Sequence, residues 1–332
     1  ESIYTYRFEL FGNYEFDFVK DFEVNYSYST HNQNSYYGSD YYVANQDIFF
    51  SQFTLNKKYN KHDFLYGLSI KNNLYDDNTI ATEKVVNGDK RNSSSNQFVP
   101  GLLVQDKFKP SEKISLIGGL RFDHFKDHGL IFAPSFHIKY NPGEWLAFRL
   151  NAGTGFRLVN LFTEDHAFVT GQREVKILEE LQPEKSKSLI LNTNYIYSGF
   201  NGSGNLDIDL FYTYFSNKII PNYDNPKYII YQNLEGYSYS KGVSGAWNHS
   251  FLNGTAFTLN FNHQIVKYSE YNNNIKTLLD MEHSPRWTAG LNLKFPINKS
   301  WFINTSSNYV GVMQLPEVFD MNINGQISEI AR

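Results

Sequence analysis

The chain has 332 residues, a formal net charge of -4 and a pI near 6.2, and its Lys and Arg residues form no block suited to nucleic acid. It has no cysteine, which excludes disulfides, thiolate metal sites and cysteine nucleophiles. No run nears the roughly 18 apolar residues of a spanning helix, and mean hydropathy is negative, yet aromatics make up 17%, with 25 Tyr and 28 Phe. Strands produce this balance when every second side chain meets lipid and aromatic rings collect at both water interfaces.

In chain order, period-2 alternation begins at once in Glu1-Ser2-Ile3-Tyr4-Thr5-Tyr6-Arg7, with no leader segment ahead of it. Short turns are predicted at Phe18-Val19-Lys20-Asp21, Tyr59-Asn60-Lys61-His62, Lys109-Pro110-Ser111-Glu112 and Asn141-Pro142-Gly143-Glu144. Others follow at Gly199 to Gly204, Leu252-Asn253-Gly254 and Pro296-Ile297-Asn298-Lys299. Between them run strands of about ten residues. In one, Ile114, Leu116, Gly118, Leu120 and Phe122 oppose Ser115, Ile117, Gly119, Arg121 and Asp123. Leu206, Ile208, Leu210, Tyr212 and Tyr214 oppose Asp207, Asp209 and Thr213, with Phe211 and Phe215 blurring the polar side. Phe257, Leu259, Phe261 and Ile265 oppose Thr258, Asn260, Asn262 and Gln264.

Longer polar connections fall at 32–46, 78–96, 160–183, 221–226 and 269–283, and only Asp127-His128-Gly129 is short on that side. Long loops on one side and short turns on the other are the asymmetry of a transmembrane barrel. The expectation is an all-β, transmembrane antiparallel β-barrel with about 14 strands present, running through residues 1–332 without a domain boundary. A soluble sandwich or propeller also alternates, but it does not need strands this long with one aromatic and aliphatic face. The polar end, Gly325 to Arg332, lacks an aromatic closing strand, so both ends read as cut.

The stretch from Gly118 to Ser188 carries a resemblance. Gly119-Leu120-Arg121-Phe122-Asp123, Ala133-Pro134-Ser135-Phe136 and the strand from Leu146 to Arg157 precede Leu181-Gln182-Pro183-Glu184 in an order and spacing similar to TonB-dependent receptors for iron chelates, haem and cobalamin. Gly155-Phe156-Arg157 resembles the family's FRAP box, with Leu158 and Val159 replacing Ala-Pro, and Pro183-Glu184 its NPNL box, from which Gln182 departs. Asn233-Leu234-Glu235-Gly236 and Ser307-Asn308-Tyr309-Val310-Gly311 fit as well. The resemblance implies a barrel of roughly 22 strands with an internal plug; the plug, the TonB-contacting segment, some early strands and the last strands are then missing here. It also implies an outer-membrane receptor of a Gram-negative bacterium that imports a siderophore, haem or cobalamin, energised through TonB and partnered by a surface lipoprotein in some cases. The alternatives are a passive 14-stranded channel and a soluble β-rich binding protein.

Among candidate ligand-binding residues, Arg157 can hold a carboxylate bidentately or serve as a rim salt bridge. His166 stands where haem receptors that resemble this chain place a haem-iron ligand, and is otherwise a solvated loop histidine; Arg173 shares its loop. Tyr36, Tyr37 and Tyr41, in a segment with His31, Asp40 and Tyr42, either stack on a flat ligand or belong to the outer aromatic girdle. Asp76 and Asp77, and Glu164 and Asp165, are paired carboxylates without calcium-loop spacing. No nucleophile elbow, zinc-protease motif, P-loop or dinucleotide fingerprint is present, so the chain reads as a non-enzyme with no cofactor.

Overall fold

In the computed structural model the described residues are 2–16, 19–38, 40–79, 82–86, 89–158, 174–177, 181–222, 225, 227–272, 275–298, 300–315, 318–321 and 327–331. The candidates His166, Arg173, Glu164 and Asp165 lie outside them. In chain order the strands are β1 (Ser2–Glu15), β2 (Phe22–Tyr37), β3 (Asp40–Tyr59), β4 (His62–Asp77), β5 (Glu83–Val86), β6 (Asp89–Asn92), β7 (Ser95–Ser111), β8 (Ile114–Phe125), β9 (Gly129–Gly143), β10 (Leu146–Arg157) and β11 (Glu174–Ile177). There follow β12 (Glu184–Gly199), β13 (Gly202–Phe215), β14 (Ile219–Asn222), β15 (Tyr228–Asn233), β16 (Ser238–Phe251), β17 (Ala256–Asn272), β18 (Ile275–Asp280), β19 (Trp287–Pro296), β20 (Phe302–Val310), β21 (Val318–Met321) and β22 (Ile327–Ala331). No helix occurs among the described residues.

Fourteen strands form one antiparallel path, β1-β2-β3-β4-β7-β8-β9-β10-β12-β13-β16-β17-β19-β20, which matches the count expected from the turn signals. The path does not close on itself among the described residues. The short strands rise from its long-loop end: the hairpin β5-β6, the three-stranded sheet β11-β15-β14, and β18 paired back on β17. At the other end the turns are tight. Phe200 and Asn201 both take positive φ, 52° and 63°, the type I′ geometry that matches strand twist across a two-residue hairpin.

Register fixes which side chains share a face. Lys187, Tyr214, Tyr239 and Lys267 form one row across β12, β13, β16 and β17; Tyr197, Gly204, His249, Phe257 and Leu293 form another about ten residues away. The rows between hold Leu189, Leu191, Leu210, Val243, Ile208, Phe261, Leu206 and Leu259. The face is thus an aliphatic band between two aromatic belts. Tyr214 stacks on Tyr237 (5.5 Å) and Tyr212 on Tyr239 (6.2 Å) at one belt, while Trp247 meets Phe257 edge-on (4.9 Å) at the other.

The opposite face is hydrogen-bonded side chain to side chain. Asn192 Nδ2 donates to Asp207 (2.8 Å) and Asp209 (2.9 Å), Arg149 donates to Asn192 (2.6 Å), and Thr258 donates to Asn248 (2.7 Å). Phe211 intrudes on this face opposite Gly242, where an added Cβ would meet the His263 carbonyl and the Phe211 ring within 3 Å, so the glycine makes room for both. Residues of β3, β4, β7, β8 and β10 jointly bound a cavity on this side, which makes the polar face the concave one.

Connections expected to be loops carry strand; 78–96 holds the β5-β6 hairpin, and two others extend the main sheet. β2 and β3 pair as far as Tyr37 and Asp40, and β17 and β18 as far as Asn272 and Ile275. The reason is that alternation fades once both faces meet polar surroundings, while the backbone ladder continues regardless.

Gly101 on the concave face sits between Ser69 and Asp123, whose oxygens would each lie 2.5 Å from an added Cβ; at Gly118 nothing lies within 4 Å. Gly101→Leu is expected to lower unfolding stability by about 1–3 kcal/mol, and Gly118→Leu by no more than about 0.5 kcal/mol, as read from urea titrations of the folded protein in detergent.

Candidate functional site

The three stretches singled out by sequence come together at the long-loop end. Arg157 ends β10 and Glu184 begins β12, its direct partner in register. Glu184 is buried: Oε2 accepts from Arg157 Nε (2.8 Å) and Oε1 accepts from the Ile219 backbone N–H (2.9 Å). A carboxylate removed from water needs both kinds of partner. One side chain therefore ties β10, β12 and β14 together.

Two asparagines complete the knot. Asn217 donates to the Pro183 carbonyl (2.6 Å) and accepts from the Lys185 N–H (3.1 Å). Asn233 accepts from the Gln182 N–H (2.7 Å) and donates to the Gln182 carbonyl (3.0 Å) and the Asn217 carbonyl (3.1 Å). These amides supply backbone-like hydrogen bonds where the chain leaves the regular ladder. Ile219, Ile229 and Tyr231 form the buried apolar centre of the small sheet above them.

Below this knot lies a cavity of about 530 Å³, within the range of small-molecule sites. Lys71, Arg121 and Arg157 reach its wall, with Phe50, Tyr75, Phe125 and Phe156 as its aromatic surface and Asp123 as a lining carboxylate. Arg121 grips Asp123 through Nε and Nη2 at 2.7 and 2.8 Å, and Asp123 is itself buried. Lys71 makes no ion pair among the described residues. Phe156 departs from the alternation: it packs edge-on against Phe125 (5.6 Å) and joins Val99 and Ile131 on the concave side.

Of the other expected residues, Tyr36 and Tyr41 are cross-strand partners on the convex face, and Tyr36 meets Tyr4 edge-on at 6.3 Å. Tyr37 ends β2. Gly155 lies beside Ser186, whose Oγ would be 3.0 Å from an added Cβ. Asp77 is not an open cation ligand: Oδ2 accepts from Tyr75 Oη (2.7 Å), and Oδ1 from Thr79 N–H, Thr79 Oγ1 and Thr82 Oγ1 at 2.8–3.0 Å. Tyr42 completes that chain by donating to Tyr75 (2.9 Å). Lys71, Asn217 and Lys218 escaped sequence reasoning, since they follow no motif: Lys71 meets the site through its place in β4, and Asn217 and Lys218 from the connection between β13 and β14.

This arrangement, a two-faced antiparallel wall with a hydrogen-bonded mouth, has the architecture of a transmembrane β-barrel wall. The TonB dependent receptor-like β-barrel family matches residues 2–320, and the chain belongs to that family. Solved structures agree in fold: the siderophore receptor PirA of Pseudomonas aeruginosa (14% identity, TM-score 0.70, 93% of this chain and 55% of that one) and a variant of the ferric enterobactin receptor PfeA of the same organism (15%, 0.71, 95% and 50%). The Serratia marcescens hemophore receptor HasR, solved with its hemophore HasA and heme, is similar at 14% identity and a TM-score of 0.68, over 93% and 58% of the two chains. The chain spans little more than half the length of these receptors. No curated protein matches it.

Burial pushes the Lys218 ammonium below the usual lysine range, Glu184 opposing the shift and Arg157 adding to it. The folded chain thus holds this proton less tightly than the unfolded chain, and the charged lysine costs stability at neutral pH; the cost fades as pH rises through the ordinary lysine range. Lys218→Met is expected to melt higher than the parent at pH ~7, with the gap narrowing by pH ~10, as followed by thermal scans across that series.

Proposed function

We propose that this chain forms the wall and mouth of an outer-membrane import receptor that captures an anionic metal chelate, of the siderophore or haem class, from outside a Gram-negative cell. The convex aliphatic band between aromatic belts is the lipid-facing surface, and the concave polar face encloses an aqueous lumen. Gating by a plug and energisation through TonB belong to parts of the receptor outside these residues.

The observation that carries the reading is the cavity at the mouth. Three cations converge there with four aromatic rings, a lining suited to a flat or aromatic ligand bearing negative charge. A neutral vitamin would leave Lys71 without a counter-charge among the described residues. Arg121 and Arg157 are already held by Asp123 and Glu184, so their guanidiniums are preorganised, and Lys71 supplies charge no carboxylate has claimed among the described residues. His166 and Arg173, outside the described residues, remain proposed ligand-binding residues, His166 as the ligand to iron when the cargo is haem.

The expected result is that the intact receptor binds a ferric chelate carrying net negative charge, and that Lys71→Gln weakens it about tenfold, the scale of one charge-assisted hydrogen bond. A neutral ferric chelate of similar size is expected to bind parent and variant alike. Quenching of intrinsic fluorescence in detergent reads both; equal affinity of parent and variant for the anionic chelate contradicts the proposal.

A further inference from the structure

The wall is split at one place. The β9-β10 ladder stops at Ser135 opposite Gly153, although β9 stays paired with β8 up to Gly129 and β10 with β12 up to Arg157. Pro134 is the cause. Its carbonyl faces Gly153, lying 3.4 Å from where a Cβ would be, and its missing N–H is the donor the next pair needs. Beyond it Phe156 turns inward onto Phe125, so its ring lines the gap without closing it.

The result is a cleft of about 420 Å³ with two unlike walls. On the β9 side are Leu130 and Phe132, both exposed; on the β12 side are Lys185 and Lys187, exposed and without an ion pair among the described residues. The Thr154 hydroxyl lines the floor, shielded from solvent and without a hydrogen-bond partner among the described residues. In register, Lys187 stands in the row of Tyr214 and Tyr239, the upper aromatic belt.

We propose that this cleft is a binding site for a phosphorylated lipid of the surrounding leaflet, the phosphate held between Lys185 and Lys187 and the acyl chain lying on Leu130 and Phe132. The height suits this ligand: in a bilayer the belt marks the headgroup level, and Leu189 and Phe136 below continue an apolar path into the band. Lysine offers the phosphate a point charge without demanding one geometry. Thr154 gains the acceptor it lacks. The assignment rests on the membrane-receptor reading given above.

The test uses the intact receptor in detergent, with native mass spectrometry to count bound lipid. The probes are a bisphosphorylated glucosamine lipid (lipid A), the same lipid stripped of phosphate, and inorganic phosphate as competitor. The parent should bind the phosphorylated lipid at least about tenfold more tightly than the stripped one; Lys185→Gln with Lys187→Gln should erase that preference, and Lys185→Arg with Lys187→Arg should keep it. Equal binding of both lipids, or no loss in the glutamine variant, overturns the lipid site, as does full displacement by millimolar phosphate, which would make it a free-anion site. Chelate binding is unchanged by these substitutions, so failure here leaves the import reading standing. A protein that binds no lipid and stays dispersed without detergent overturns both.

Discussion

Everything in this structure depends on the requirement that a strand's N–H and C=O groups find partners in neighbouring strands. Meeting it for fourteen strands in succession commits each to an extended backbone, and the extended backbone sends side chains alternately to two faces. The sequence then has to satisfy two environments at once. Leu210 and Tyr212 answer one while Asp209 and Thr213 answer the other, a residue apart on β13. A one-residue slip would exchange the two faces, which makes the cross-strand register as strongly specified as any packed core.

The functional features arise where that rule is locally relaxed. Pro134 withholds a donor and opens the wall; Phe156 leaves its row and roofs the cavity from the inside. At the end of β10 the ladder gives way to Glu184, Asn217 and Asn233, whose side chains stand in for backbone partners and let the chain turn into the mouth sheet. At the end of β10 the departure is stabilised by charged and amide groups, because an unpaired backbone group in such a place would cost more than the irregularity itself.

Legibility in the sequence follows the same division. The fourteen strands, the tight turns and the two faces were readable, since alternation and turn chemistry are local signals. The joining of Arg157 to Glu184 across 158–183 was legible only as two family-like boxes, not as a contact. Asn217, Lys218 and Lys71 are invisible in the sequence, because a polar residue in a connection or within a strand carries no mark of the partner that folding brings to it. The tip of the β2-β3 hairpin, 32–46, reads as a loop for the converse reason: Tyr, Asn and Ser on both faces hide a ladder that the backbone nevertheless makes. Glycines at 101 and 242 likewise show their purpose only when Asp123 and Phe211 are placed opposite them.

The absence of cysteine makes a direct measurement of the central claim straightforward. Single cysteines introduced in turn from Leu206 to Tyr214, spin-labelled in the intact receptor reconstituted into lipid vesicles, can be scored for collisions with oxygen, which partitions into lipid, and with a water-soluble nickel chelate. The account predicts strict alternation, with 206, 208, 210 and 212 favouring oxygen and 207, 209, 211 and 213 favouring nickel. Uniform access to nickel along the strand, or no period of two, would contradict the assignment of one face to lipid and the other to an aqueous lumen.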